Sequence, residues 1–72
     1  MKISYDAEVD ALSITFRDTT VTTEEIAPGI AAEYDAEGLL AGLEILDASR
    51  RFGDAGTLDE VTLQGVRLAP SV

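Results

Sequence analysis

Cysteine, histidine and tryptophan are absent from this chain, and lysine occurs once. Without cysteine there is no disulfide framework and no thiol nucleophile. Without histidine as well, the common zinc sites lack ligands and a serine hydroxyl lacks an imidazole base. The lone lysine, Lys2, stands beside Ser4, while Ser13, Ser49 and Ser71 have none near them. Glycine-rich phosphate loops are missing too. Charges interrupt every apolar run well before the roughly 20 residues that a membrane-spanning helix needs. The start, Met1-Lys2-Ile3-Ser4-Tyr5-Asp6, turns acidic before the apolar core of a signal peptide can form. The expected compartment is the cytoplasm, with no membrane partner.

Acidic residues are plentiful: 14 Asp and Glu face five Lys and Arg, a formal charge of −9 spread along the whole chain. A nucleic-acid binder displaces phosphate counterions with a clustered basic face, and the only adjacent basic pair here is Arg50-Arg51, so nucleic acid is not an expected ligand. The same balance disfavours anionic membrane surfaces and suits a small basic protein as partner, beside its plain role in solubility. With 72 residues there is room for one core and one domain. A chain this short hides only about 60% of its extended surface on folding. With disulfides and zinc excluded, association with itself is the expected source of further burial.

Apolar residues recur with a period of two. Ile3 and Tyr5 share one face of a first strand, and Leu12, Ile14 and Phe16 one face of a second, joined as a hairpin across the polar Asp6 to Asp10 loop. A third strand is expected around Val21 to Ile26, with Glu24-Glu25 marking an edge. It ends at Pro28-Gly29, and a fourth strand starts at Ile30. Asp35 to Gly38 reads as a turn in which Gly38 takes positive φ. The most apolar segment, Leu39 to Leu46, is expected as a central strand covered on both sides. Asp47 is placed to N-cap a short helix over Ala48 to Phe52, which Gly53 ends. Residues 53–57 read as a loop, and Val61 to Leu68 as a last, weaker strand interrupted at Gly65. The pattern therefore predicts a mainly β fold on the α+β border: an antiparallel meander sheet of five to six strands with one short helix after the fifth strand.

Constellations for chemistry are weak. Asp6, Glu8 and Asp10 alternate like the start of a calcium loop, but the sixth and twelfth loop positions hold Ala11 and Arg17 where glycine and a bidentate glutamate are required. So many carboxylates make any acid pair uninformative. Arg50 and Arg51 suit a helix C-terminus and could pair with Glu44 or Asp47. Tyr5, Phe16, Tyr34 and Phe52 are expected in the core. No catalytic, metal or cofactor-binding residue is assigned, and no cofactor is expected.

Two blocks carry a resemblance: Met1-Lys2-Ile3-Ser4-Tyr5-Asp6-Ala7-Glu8-Val9-Asp10-Ala11-Leu12-Ser13-Ile14, and later Gly42-Leu43-Glu44-Ile45-Leu46-Asp47-Ala48-Ser49. Together with Gly29 and the Asp35 to Gly38 turn, they resemble DUF2283, a small prokaryotic domain without an assigned activity. The likeness divides the single domain 1–72 into a family-like core, 1–52, and a C-terminal extension, 53–72. It brings no site residues, and implies an antitoxin role, because some members look like partners encoded beside small toxin-like proteins. The expected function is a small acidic protein-interaction module, antitoxin-like. The alternative is a small-molecule or metal-binding enzyme whose site forms at a subunit interface.

Overall fold

The computed structural model describes residues 1–65. Strands β1 (Lys2–Asp6), β2 (Ala11–Thr15), β3 (Thr22–Ala27), β4 (Ile30–Tyr34) and β5 (Leu40–Ile45) form one antiparallel sheet. A short helix, α1 (Ala48–Phe52), and a 3-10 turn, η1 (Ala55–Asp59), follow it. The mainly β class and the helix after the fifth strand agree with the sequence pattern.

The order across the sheet is β1-β2-β5-β4-β3, which corrects the simple meander. β1 and β2 make a hairpin, and β3, β4 and β5 make a three-stranded meander. Between the two units, residues 16–21 carry the chain to the far edge. The physical reason is which strand tolerates burial of both its edges. β5, the most apolar segment, lies between β2 and β4, whereas β3, with Glu24 and Glu25, lies at the rim where water reaches carboxylates.

Residues directly opposite in the ladders share a face. One face carries the rows Tyr5, Leu12, Ile45, Ile30 and Ile3, Ile14, Leu43, Ala32, with Leu40 beside Tyr34. The opposite face carries Ser4, Ser13, Glu44, Ala31, Glu25 and Lys2, Thr15, Gly42, Glu33, Thr23. Apart from Glu24, opposite Ala32 at the β3 rim, the sheet is therefore apolar on one side and mainly polar on the other. β5 is central, but the expectation that it is covered on both sides fails: Glu44 projects into water, and Leu39, Leu40 and Leu46 are 56%, 43% and 52% exposed.

The buried residues among those described are Leu12, Ala32, Ala41 and Ala48, with Gly42, and no large side chain is wholly enclosed. The four aromatic residues do not fill a core as expected. Tyr5 and Phe52 are exposed, and Phe16 and Tyr34 are half-buried, because no second layer among the described residues lies over the apolar face. α1 packs mainly against η1. The shape agrees: principal extents of 42 × 28 × 17 Å and a radius of gyration of 14.0 Å, against about 11 Å for a compact chain of this length. Leaving hundreds of Å2 of apolar surface wet forfeits several kcal/mol at about 25 cal/mol per Å2, a large share of the 5–15 kcal/mol by which small domains are stable.

The turns follow local chemistry. Asp35 Oδ1 accepts from the N–H groups of Glu37 and Leu39, both at 2.9 Å, and Gly38 takes a φ of +81° to complete the turn into β5. Gly53 ends α1 in the left-handed conformation. Residues 53–57 are more ordered than a loop: the Asp54 side chain accepts from Gly56 N–H at 2.8 Å and starts η1. Val61, Thr62 and Leu63 are not in a strand, and the remainder of the expected last strand, Val66 to Leu68, lies outside the described residues.

Candidate functional site

Among the described residues the Asp10 and Asp35 carboxylates each accept three hydrogen bonds, and Asp10, at the end of the β1–β2 turn, is the one that reaches the helix. It adopts a φ of +54°, a left-handed conformation that aspartate tolerates better than most residues. Asp10 Oδ1 accepts from the Tyr5 hydroxyl at 2.6 Å and from Ser49 N–H at 3.0 Å. Its Oδ2 accepts from the Ser49 hydroxyl at 2.9 Å, and its carbonyl accepts from Ala48 N–H at 2.9 Å. Asp10 thus caps α1 from 39 residues upstream. This corrects the assignment of Asp47, which occupies the N-cap position with a φ of 53° and makes no side-chain cap bond. Nothing local in the sequence signals the exchange; the only hint is that the two blocks of the family resemblance contain Tyr5 with Asp10 and Ala48 with Ser49.

The electrostatics describe a latch. Hydrogen bonds from the Tyr5 hydroxyl first, and then from Ser49 N–H, hold the Asp10 carboxyl below the usual carboxylate range. The same bond to Asp10 is the main cause that pushes the Tyr5 hydroxyl up. At neutral pH the carboxylate is ionised and the phenol keeps its proton, the reverse of an acid–base pair poised to exchange one.

The latch has a pH signature. A carboxyl whose folded pKa is lowered contributes stability that is fully present above its ordinary value of about 3.9, and that is lost as pH falls through the lower folded value. Asp35, held down chiefly by the Arg17 guanidinium, behaves alike. Asp10→Asn is expected to lower the melting temperature at pH 7 by roughly 4–8 °C, as loss of a helix cap does in a domain of this size. The gap from the unmodified protein should narrow toward pH 2. Melting curves at both pH values check this, and a gap that is constant with pH would show that the Asp10 charge does not hold the helix.

Arg51 ties the far side of α1. Its Nε donates to the Leu46 carbonyl at 2.8 Å and its Nη2 to the Pro28 carbonyl. Its partners are thus two carbonyls, one just past β5 and one in the β3–β4 turn, in place of the expected Glu44 or Asp47. At Gly29, beside Pro28, a Cβ would collide with the guanidinium. Among the described residues the one ion pair joins Arg17 to Asp35.

Asp6, Glu8 and Asp10 do not converge. Asp6 Oδ1 accepts from Glu8 N–H at 3.0 Å, while Asp10 turns to α1. Among the described residues no three acidic side chains are grouped as a metal would require, and no helix is long and apolar enough to cross a membrane. One surface cleft of about 260 Å3 is lined by Met1, Lys2, Thr15, Phe16, Arg17 and Asp18, below the usual range for a small-molecule site.

What the fold does display is its two sheet faces. Glu25, Glu33 and Glu44 lie on the polar face with Asp6, and Lys2 is the one base among the paired strand residues there. Comparison with known proteins finds no curated protein and no solved structure that matches. The family described as Protein of unknown function (DUF2283) matches residues 2–49. The matched unit runs from β1 to Ser49, the residue gripped by Asp10, and so contains the whole sheet and its latch. Covering two thirds of the 72 residues, this match places the chain in the DUF2283 family.

Proposed function

We propose that this protein is a small acidic interaction module of the cytoplasm, antitoxin-like, which neutralises a small basic protein. The observation that supports this most is the segregation of charge: among the paired strand residues, Glu25, Glu33 and Glu44 share one sheet face with a single base, Lys2, in a chain of formal charge −9. Such a field draws a basic partner in and orients it, and rim charges act mainly on the rate of encounter. The open edges β1 and β3 add unpaired backbone groups that an extended partner segment can use. The likeness to family members encoded beside toxin-like proteins points the same way.

The test is co-expression with the small basic protein encoded by a neighbouring gene. Growth arrest by that protein should be relieved, and the purified complex should weaken as salt is raised. Replacing Glu25, Glu33 and Glu44 together by glutamine should weaken binding by at least 10-fold while the melting temperature holds. An unrelieved arrest, or a complex indifferent to salt and to the triple substitution, would refute the reading.

A further inference from the structure

We infer that the apolar sheet face is covered by a second copy of this chain, so that the protein is a symmetric two-layer dimer packed face to face. The inference is independent of the neutralisation reading, which uses the other face.

Burial comes first. The face presents Ile3, Ile14, Ile30, Leu40, Leu43 and Ile45, and Ile3 and Leu40 are 41% and 43% exposed. Nothing among the described residues forms a second layer over it, since α1 is tied to the turns at one end of the sheet through Asp10 and Arg51. A one-sided sheet is stable only with its apolar side against another layer. A cover that the fold itself requires must be present whenever the chain is, and another copy always is.

Area comes second. Five strands about 4.8 Å apart, each of five to six residues at about 3.4 Å, make a face of roughly 24 by 18 Å. With side-chain relief, each copy would cover on the order of 600 Å2. The total of roughly 1,200 Å2 is what the smaller specific interfaces bury.

Charge comes third. Among the strand residues paired on the apolar face, Glu24 at the β3 rim is the one that carries a charge. Two copies therefore meet without like charges at the centre. Carboxylates on the outer faces repel across the assembly, and salt screens them beyond about 8–10 Å. This dimer should tighten as salt is added, opposite to a complex with a basic protein.

Edge pairing is the rival arrangement. Two β1 strands could pair antiparallel about Ser4 and set Lys2 opposite Asp6, but that would double the uncovered apolar face. Sedimentation equilibrium from about 1 to 100 μM should show the mass rising to twice the chain's 7.6 kDa, with a micromolar dissociation constant that falls with salt. Ile3→Glu and Leu40→Glu should each raise that constant on the order of 100-fold, because a charge would be buried unpaired, whereas Ser4→Glu on the other face should leave it within about 3-fold. Should Ile3→Glu not fold, Leu40→Glu and amide exchange of the unmodified protein decide. In the face-to-face dimer the outward amides of β1 and β3 exchange as fast as in the monomer. A monomer mass at all concentrations and salts, protection of those edge amides, or disruption by Ser4→Glu but not by Leu40→Glu would each overturn the inference.

Discussion

Leu12→Ala is expected to cost about 2–5 kcal/mol of unfolding free energy, as large-to-small changes at buried leucines do, and to leave much of the protein unfolded at 37 °C. Leu12, on β2, is the single large residue in the buried set, 6% exposed, and the other hydrophobic members are alanines. It stands between Tyr5 and Ile45 in its cross-strand row, where the β1–β2 hairpin meets the β3-β4-β5 unit. Its removal opens the seam between the two pieces. Leu12→Met, of similar volume, should cost under about 1.5 kcal/mol. Urea denaturation of both variants reads the difference as a shift in midpoint at constant slope. A shift below about 1 kcal/mol for Leu12→Ala would mean that the seam is held by something other than side-chain burial.

Gly42→Ala should cost about 1–3 kcal/mol, the usual penalty of overpacking. Gly42 lies in β5 on the polar face, opposite Thr15 of β2 and Glu33 of β4. A Cβ there would meet the Glu33 carboxylate and stand 2.9 Å from the Ile14 carbonyl. The glutamate can swing aside, but the carbonyl belongs to the ladder and moves only if β2 and β5 part. The constraint is thus steric approach, unlike Gly38, where space is open and the positive φ is what excludes other residues. Adding Glu33→Ala to Gly42→Ala separates the two contacts. If the double variant regains the unmodified midpoint, the side chain was the obstacle and the close approach of the strands was not.

Both substitutions act on the middle of the sheet, where the hairpin and the meander join. The same centre carries the apolar face on one side and the row with Glu44 and Glu25 on the other. A functional assay on these variants therefore needs a parallel measurement of the folded fraction, since loss of a partner complex would otherwise follow from unfolding alone.

Much of this was legible in the residues. Alternation at Ile3 and Tyr5, at Leu12 and Ile14, and at Ile30, Ala32 and Tyr34 located three strands, because a half-buried strand repeats its environment every two residues. Gly38 and Gly53 marked the two left-handed turns they occupy, and Glu24-Glu25 marked an edge. Long-range matters were not legible. The order β1-β2-β5-β4-β3, the capping of α1 by Asp10 and the binding of Arg51 to the Pro28 carbonyl join residues distant in sequence. No local propensity encodes which of several acids or carbonyls will be nearest once strands pair. The aromatic residues and the leucines around β5 were expected in a core, since hydrophobicity tells that a side chain leaves water but not whether its own chain covers it. Sequence located the five strands of the sheet and their turns, because backbone sterics and side-chain alternation act over a few residues, though it also marked Val61 to Leu63, which is not a strand. Only the tertiary structure decided that, among the described residues, no second layer covers the apolar face of the sheet, because covering a face depends on where distant segments pack.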